Sequence, residues 1–227
     1  LEKLLYYIVT ATYLFLPLAF LFFRCKFKDR VPTLLFLYGI IFFAVLLVYF
    51  DYVPKSFQKY YQVTYTFLEY TVFTSIFWYH IKNRGFKVFV LIASSLFFIF
   101  QIFFVTTASF KRLDSIPVGI ETILLFIYIF YFFYEFSKQI KDVFIYNHYT
   151  FWIAVGIMIY LGGSFFFYIL INNLNQDEVN KFGPMTYVAE VIKNLLFAFA
   201  IFMYKKHSAN NIHKLPKNIP NLDMNVI

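Results

Sequence analysis

VPTLLFLYGIIFFAVLLVYF, residues Val31–Phe50, runs for twenty positions without one charged side chain. A helix rises about 1.5 Å per residue, so a run of this length covers about 30 Å, the thickness of a bilayer's hydrocarbon core. Its apolar residues do not alternate with period two, which argues against a strand of an outer-membrane barrel. Just before it stands Arg24-Cys-Lys-Phe-Lys-Asp-Arg30, which directly follows another apolar run, Leu5–Phe23. A basic flank in that position reads as a stop-transfer signal, so the first helix is expected to stay in the chain and not to be removed as a signal peptide.

The same length test picks out Leu5–Phe23, Val31–Phe50, Val63–Ile81, Val88–Thr107, Ile116–Phe136, Phe151–Ile171 and Thr186–Tyr204. Composition agrees with seven such segments. Hydrophobic residues make up 61% of the 227 and charged residues 14%, against about 45–50% and about 25% in soluble domains. One soluble core of this size would not enclose so much apolar surface. Cys25 is the only cysteine, which excludes a disulfide scaffold. The expected fold class is all-α: a polytopic membrane protein with seven transmembrane helices over residues 1–204 and a short basic cytoplasmic tail over 205–227. Asp51–Gln62 is expected to lie at the outer interface, and Asn172–Pro184 to form a turn-rich connector.

Seven spans place the two termini on opposite sides. With the N-terminus outside, thirteen of the 20 Lys and Arg residues fall on inner segments, six on outer segments, and Lys193 within the last span. This asymmetry predicts an N-out, C-in orientation. The net charge of +8 is then a topology signal that meets anionic headgroups, not a nucleic-acid face. The expected partners are the lipid bilayer and a protein in or at the membrane, with no nucleic acid. No cofactor is expected, and a small-molecule ligand is left unidentified.

An ionisable group inside a span costs at least a few kcal/mol, so each needs a partner or a purpose. Glu69, Glu121 and Glu190 lie in the outer halves of three spans that all run from outside to inside. Lys193 and Asn194 follow Glu190 by three and four positions, hence on the same helical face. Gln101 and Gly162-Gly163-Ser164 fall at comparable depth. Together these residues predict a polar layer, and Glu69, Gln101, Glu121, Glu190, Lys193 and Asn194 are the candidate lining of a ligand-binding or proton-linked pocket. Structural readings stand beside this one: Glu190 and Lys193 neutralising each other along one helix, Glu121 complementing a helix start beside Pro117, Glu69 satisfied by Tyr65, and the glycines permitting close helix contact.

Other chemistry is sparse. His80, His148, His207 and His213 form no paired metal-ligand motif. No complete nucleophile–base or metal set marks an enzyme. The Phe and Tyr stripes read as lipid-facing and packing residues. Lys193 in the seventh span and Glu69 in the third are similar to the Schiff-base lysine and counterion of retinal proteins, but the deep tryptophans of such proteins are missing.

The run Phe151-Trp-Ile-Ala-Val-Gly-Ile-Met-Ile-Tyr-Leu-Gly-Gly-Ser-Phe-Phe-Phe167 follows a helix that opens Gly119-Ile-Glu-Thr122. With Val191-Ile-Lys-Asn-Leu-Leu-Phe-Ala198, it resembles a group of small bacterial seven-helix proteins, familiar from Bacteroidetes and similar to the membrane sensor regions fused to histidine kinases. The resemblance implies a multi-pass protein of the bacterial cytoplasmic membrane and transfers no catalytic residue. No kinase follows the seventh span, so a signalling output is expected to need a separate partner. The expected function is receptor-like or accessory. The rivals are a structural subunit of a membrane complex and a small-solute or proton-coupled transporter.

Overall fold

The structure, a computed structural model, describes residues 2–52, 54, 57–107, 115–139, 145–171 and 173–213. Its helices are α1 (Glu2–Thr12), α2 (Phe15–Phe22), α3 (Arg30–Tyr52), α4 (Gln58–His80), α5 (Arg84–Thr107), α6 (Ser115–Gln139), α7 (Tyr149–Leu170) and α8 (Gln176–His213). No strand occurs among the described residues, and the fold class is all-α. Of the basic residues that carry the charge asymmetry, Lys55, Lys111, Arg112, Lys141, Lys214 and Lys217 lie outside the described residues, as does the tail from residue 214 on.

Among the described residues, six stretches are long and apolar enough to cross a membrane by length and composition: Leu4–Phe22, which joins α1 and α2, all of α5 and α7, and most of α3, α6 and α8. The remaining long helix is α4. It matches α3 at 23 residues, but Gln62, Thr66, Glu69 and Thr74 dilute its apolar character. Thr66 and Glu69 turn inward and are buried. The segments α1–α2, α3, α4, α6, α7 and α8 pack side by side in a closed ring, while α5 lies outside it against α4 and α6.

The first apolar segment, expected as one helix, is two. Pro17 has no backbone N–H, and its ring crowds the carbonyl four residues earlier. The chain accordingly breaks at Tyr13 and Leu14, and the Tyr13 carbonyl accepts the Leu16 N–H at 3.3 Å. The break leaves Thr10, Thr12 and Tyr13 buried inside the ring. Helix α3 reaches this junction only because residue 39 is glycine: a Cβ there would fall 2.7 Å from both Pro17 Cδ and the Tyr13 carbonyl oxygen.

The connector expected over Asn172–Pro184 is largely helix. Asn175 Oδ1 accepts the Glu178 N–H and Glu178 Oε2 accepts the Asn175 N–H, both at 2.9 Å. This reciprocal capping box starts α8 ten residues before the expected Thr186. Pro184 sits within the helix, and Thr186 Oγ1 donates to the Gly183 carbonyl at 2.8 Å. At its far end α8 runs past Tyr204 to His213. The segment Asp51–Gln62 is also partly helical, and Tyr61 turns back onto the bundle. Its hydroxyl donates to the Val45 carbonyl at 2.8 Å, and its ring stacks on Tyr49 with centroids 4.4 Å apart.

The short turn between α4 and α5 is pinned by Glu135 of α6, whose carboxylate accepts the N–H groups of Lys82 at 3.0 Å and Asn83 at 2.9 Å. Asn83 Oδ1 then caps α5 by accepting the Phe86 N–H at 3.1 Å. At this end the ring is filled by Phe77, Phe132, Ile153, Ile157 and Ile201, none more than 3% exposed. The opposite end is lined by polar side chains.

Substituting Gly39 by alanine is expected to cost about 1–3 kcal/mol by overpacking the α2–α3 contact. Gly162, where an added Cβ meets nothing within 4 Å, is the control, and alanine there should leave stability unchanged or raise it. Thermal unfolding of the two variants in mild detergent, followed by circular dichroism, checks the contrast.

Candidate functional site

Lys193 lies midway along α8, faces the ring's centre and has no solvent exposure. An ammonium removed from water loses several kcal/mol of solvation unless its surroundings replace it. Here Nζ donates to Tyr38 Oη at 2.7 Å, to Glu69 Oε1 at 3.3 Å and to Tyr13 Oη at 3.3 Å. It also lies 3.9 Å from the centroid of the Tyr160 ring, 5.3 Å from those of Tyr13 and Tyr38, and 5.7 Å from that of Phe73. Aromatic faces carry negative potential, so the rings add cation–π attraction to the hydrogen bonds.

Glu69 is the anionic half of this arrangement. Its Oε1 accepts from Tyr38 at 2.9 Å as well as from Lys193, and its Oε2 accepts from Tyr160 at 2.9 Å. The carboxylate therefore has donors from α3, α7 and α8 at once. Tyr65, one turn before it on α4, serves a different acid.

That acid is Glu190, which accepts from Tyr13 and from Tyr65, the latter at 3.3 Å. The expected ion pair between Glu190 and Lys193 along α8 is not formed. Sharing a helical face lets the two side chains meet but does not oblige them to. The Lys193 stem reaches into the ring's centre, where the stronger set of donors and acceptors lies, while Glu190 faces the next layer one turn away. Tyr13 joins the two layers, since it accepts from Lys193 and donates to Glu190.

Above this network opens a cavity of about 230 Å³. Glu69, Glu121 and Glu190 line it from α4, α6 and α8, with Tyr160 and Ser164 from α7. Tyr6, Tyr61, Tyr65, Tyr168 and Tyr187 add aromatic wall from four helices. Glu69, Glu121, Glu190, Tyr160 and Ser164 are buried, whereas Tyr61, Tyr168 and Tyr187 are half-buried around the mouth. The cavity occupies the ring end where α1 starts, α3 finishes, and α4 and α6 start.

Three candidate residues lie elsewhere. Lys193 and Asn194 stand behind the cavity wall, where Asn194 Nδ2 donates to Thr12 Oγ1 at 2.8 Å. Gln101 is on α5, outside the ring, so it does not reach the cavity at all. It is 2% exposed, and neither atom of its amide has a hydrogen-bond partner among the described residues. It faces an apolar groove between α4 and α5 lined by Phe67, Phe98 and Ile102. The glycines divide in role: a Cβ at Gly163 would come within 2.9 Å of Ala189 Cβ on α8, whereas Gly162 is open.

The chain matches no known family, no curated protein and no solved structure.

The histidines at the other end have separate partners. His80 Nδ1 donates to the Ile76 carbonyl at 2.7 Å and Nε2 accepts from Tyr149 Oη at 3.1 Å. His148 packs edge-on against Phe136. Among the described residues no three His, Cys, Asp or Glu side chains group as a metal site would need.

Apart from Tyr65, offered as a partner of Glu69, the tyrosines read from sequence as packing residues, yet hydroxyls of Tyr13, Tyr38, Tyr65 and Tyr160 hold Glu69 and Glu190. The spacing along each helix gave no guide to them, because every one of these bonds crosses from one segment of the bundle to another. Tyr65 stands four residues before Glu69, an offset that shares a helical face, yet its hydroxyl goes to Glu190 of α8.

Tyr160 separates the two contributions to the network. Replacing it by phenylalanine removes the hydrogen bond to Glu69 and is expected to cost about 1.5–3 kcal/mol. Leucine removes the ring face over Lys193 as well and should cost about 0.5–2 kcal/mol more. Unfolding midpoints of Tyr160→Phe and Tyr160→Leu should fall in that order; equal midpoints would deny the ring any part in holding the ammonium.

Proposed function

We propose that the chain is a receptor-like or accessory protein of the bacterial cytoplasmic membrane. It crosses the bilayer seven times with its N-terminus outside and its C-terminus inside. Its cavity binds a small ligand from the outer face, and its basic inner segments contact a cytoplasmic or membrane partner. The positive-inside asymmetry supports the orientation, and α4 supplies the seventh span: its Gln62, Thr66 and Glu69 line the cavity, and its exposed Thr64 and Thr71 hydroxyls donate to carbonyls of their own helix. The compartment follows from reading the sequence as similar to bacterial seven-helix proteins.

One observation carries the functional reading: the cavity and the buried network share residues. Glu69, Tyr65, Tyr160 and Glu190 line the cavity and also hold the hydrogen bonds that tie the α1–α2 break, α3, α4, α7 and α8 together. A ligand that engages them alters bonds between helices, and differential binding to two helix arrangements is what signalling requires. Transport is less well supported, because the opposite half of the ring is closed by apolar side chains and a carrier needs access from both sides.

Cys25 tests the orientation. It lies in the connection between α2 and α3, half-buried, and burial pushes its thiol above the ordinary range although Lys205 pulls the other way. Only the thiolate reacts, so labelling by a charged maleimide should be slow at neutral pH and faster at about pH 8.5–9. The reagent should label Cys25 in inverted membrane vesicles and leave it untouched in intact cells; labelling in intact cells would reverse the topology.

The ligand reading is tested by purifying the native protein in mild detergent and identifying bound small molecules and proteins by mass spectrometry. Glu190→Ala and Glu69→Ala should lose a small molecule that the folded wild type retains. Recovery of the same company by wild type and both variants would sink this reading.

A further inference from the structure

We propose that the cavity takes a small organic ammonium ion, a protonated amine or a quaternary ammonium. Its charge would lie against Glu190, and its alkyl groups against the rings of Tyr6, Tyr65 and Tyr160. The inference rests on the cavity being a ligand site and names the chemical class it suits.

The protein already solvates an ammonium with these walls. Lys193 Nζ is held 3.9 Å from the Tyr160 ring centroid and 3.3 Å from Glu69 Oε1. Tyr160 and Glu69 also line the cavity. The materials that replace water around one alkylammonium thus continue into the space where a second would sit.

Charge points the same way. Two buried carboxylates, Glu69 and Glu190, share one ammonium, which contacts Glu69 directly and attracts Glu190 only from a distance. Glu190 receives hydroxyls from Tyr13 and Tyr65, which carry no compensating positive charge. An anionic ligand would meet the acids that line the cavity, Glu69, Glu121 and Glu190. An uncharged apolar ligand would cover Glu190 without supplying the charge that offsets its desolvation. A cation satisfies the carboxylate and the aromatic faces together, which is the chemistry of aromatic cages for alkylammonium ions.

Size narrows the class. The cavity, about 230 Å³, falls below the roughly 300–1,000 Å³ of sites for drug-sized ligands. A head group with a short substituent fits that space. Ser164, 2% exposed and on the cavity wall, gives a position from which a larger side chain would fill it.

Choline and its uncharged isostere 3,3-dimethyl-1-butanol isolate the charge, since they share shape and hydroxyl. Titration calorimetry on the purified full chain in mild detergent should show saturable choline binding at least about ten-fold tighter than that of the alcohol. Glu190→Gln keeps an acceptor for Tyr13 and Tyr65, and should weaken choline about ten-fold while leaving the alcohol unchanged. Ser164→Leu, verified as folded by circular dichroism and gel filtration, should abolish binding of both.

Equal affinity for the two probes, or choline binding indifferent to Glu190→Gln, would overturn the cation assignment and leave the cavity as a site for uncharged ligands. Choline binding that survives Ser164→Leu would place the probe outside the cavity and overturn the proposal. Binding of neither probe to wild type would also overturn it. The broader ligand reading would then stand or fall on what the wild type retains and Glu190→Ala loses.

Discussion

An ammonium group without solvent contact sets the terms for this bundle. Placing Lys193 at the ring's centre costs several kcal/mol in lost hydration, and no single neighbour offsets it. The groups that do so come from across the fold: Tyr13 at the α1–α2 break, Tyr38 from α3, Glu69 from α4 and Tyr160 from α7. Each must be in place for the others to be satisfied, because a half-complete set leaves a buried charge exposed to apolar walls. Several local features then follow as requirements. The break imposed by Pro17 puts Tyr13 inside the ring, Gly39 lets α3 approach it, and Gly163 admits α8 close to α7. The polarity of α4 follows as well, since that helix supplies the counter-charge.

The approximate placement of the long helices was legible in the chain. Transfer of apolar side chains out of water is a local quantity, summed along twenty residues, and needs no knowledge of neighbours. Helix ends were less legible, because they depend on backbone groups rather than on hydropathy. The capping pair Asn175 and Glu178 starts α8 among polar residues that an apolar window discounts. The break in the first segment has the opposite cause: Leu5–Phe23 is uniformly apolar, so only the position of Pro17 marks the discontinuity.

The candidate site was legible at its acids and not at its connections. Glu69, Glu121 and Glu190 stand out because a carboxyl among apolar residues is expensive, and the structure brings all three to one cavity. Pairing was another matter. Lys193 has an acid three residues away on its own helix, yet it contacts Glu69 across the ring, a choice set by tertiary packing. Gln101 shows the same limit, since depth along a helix says nothing of which way that helix faces, and α5 lies outside the ring. The tyrosines were hidden by abundance. In a chain with 20 tyrosines and 35 phenylalanines, the few whose hydroxyls hold buried carboxylates do not differ in type from those that only pack.

The central claim is that Lys193 and Glu69 act as one unit. A double-mutant cycle with the near-isosteric neutral replacements Glu69→Gln and Lys193→Met, read as unfolding free energy in mild detergent, addresses it directly. The account predicts that each single change leaves the other charge buried, so that the double variant is more stable than the sum of the two losses by at least about 1 kcal/mol, within the range of about 0.5–3 kcal/mol seen for residues in one network. Additive losses would contradict it.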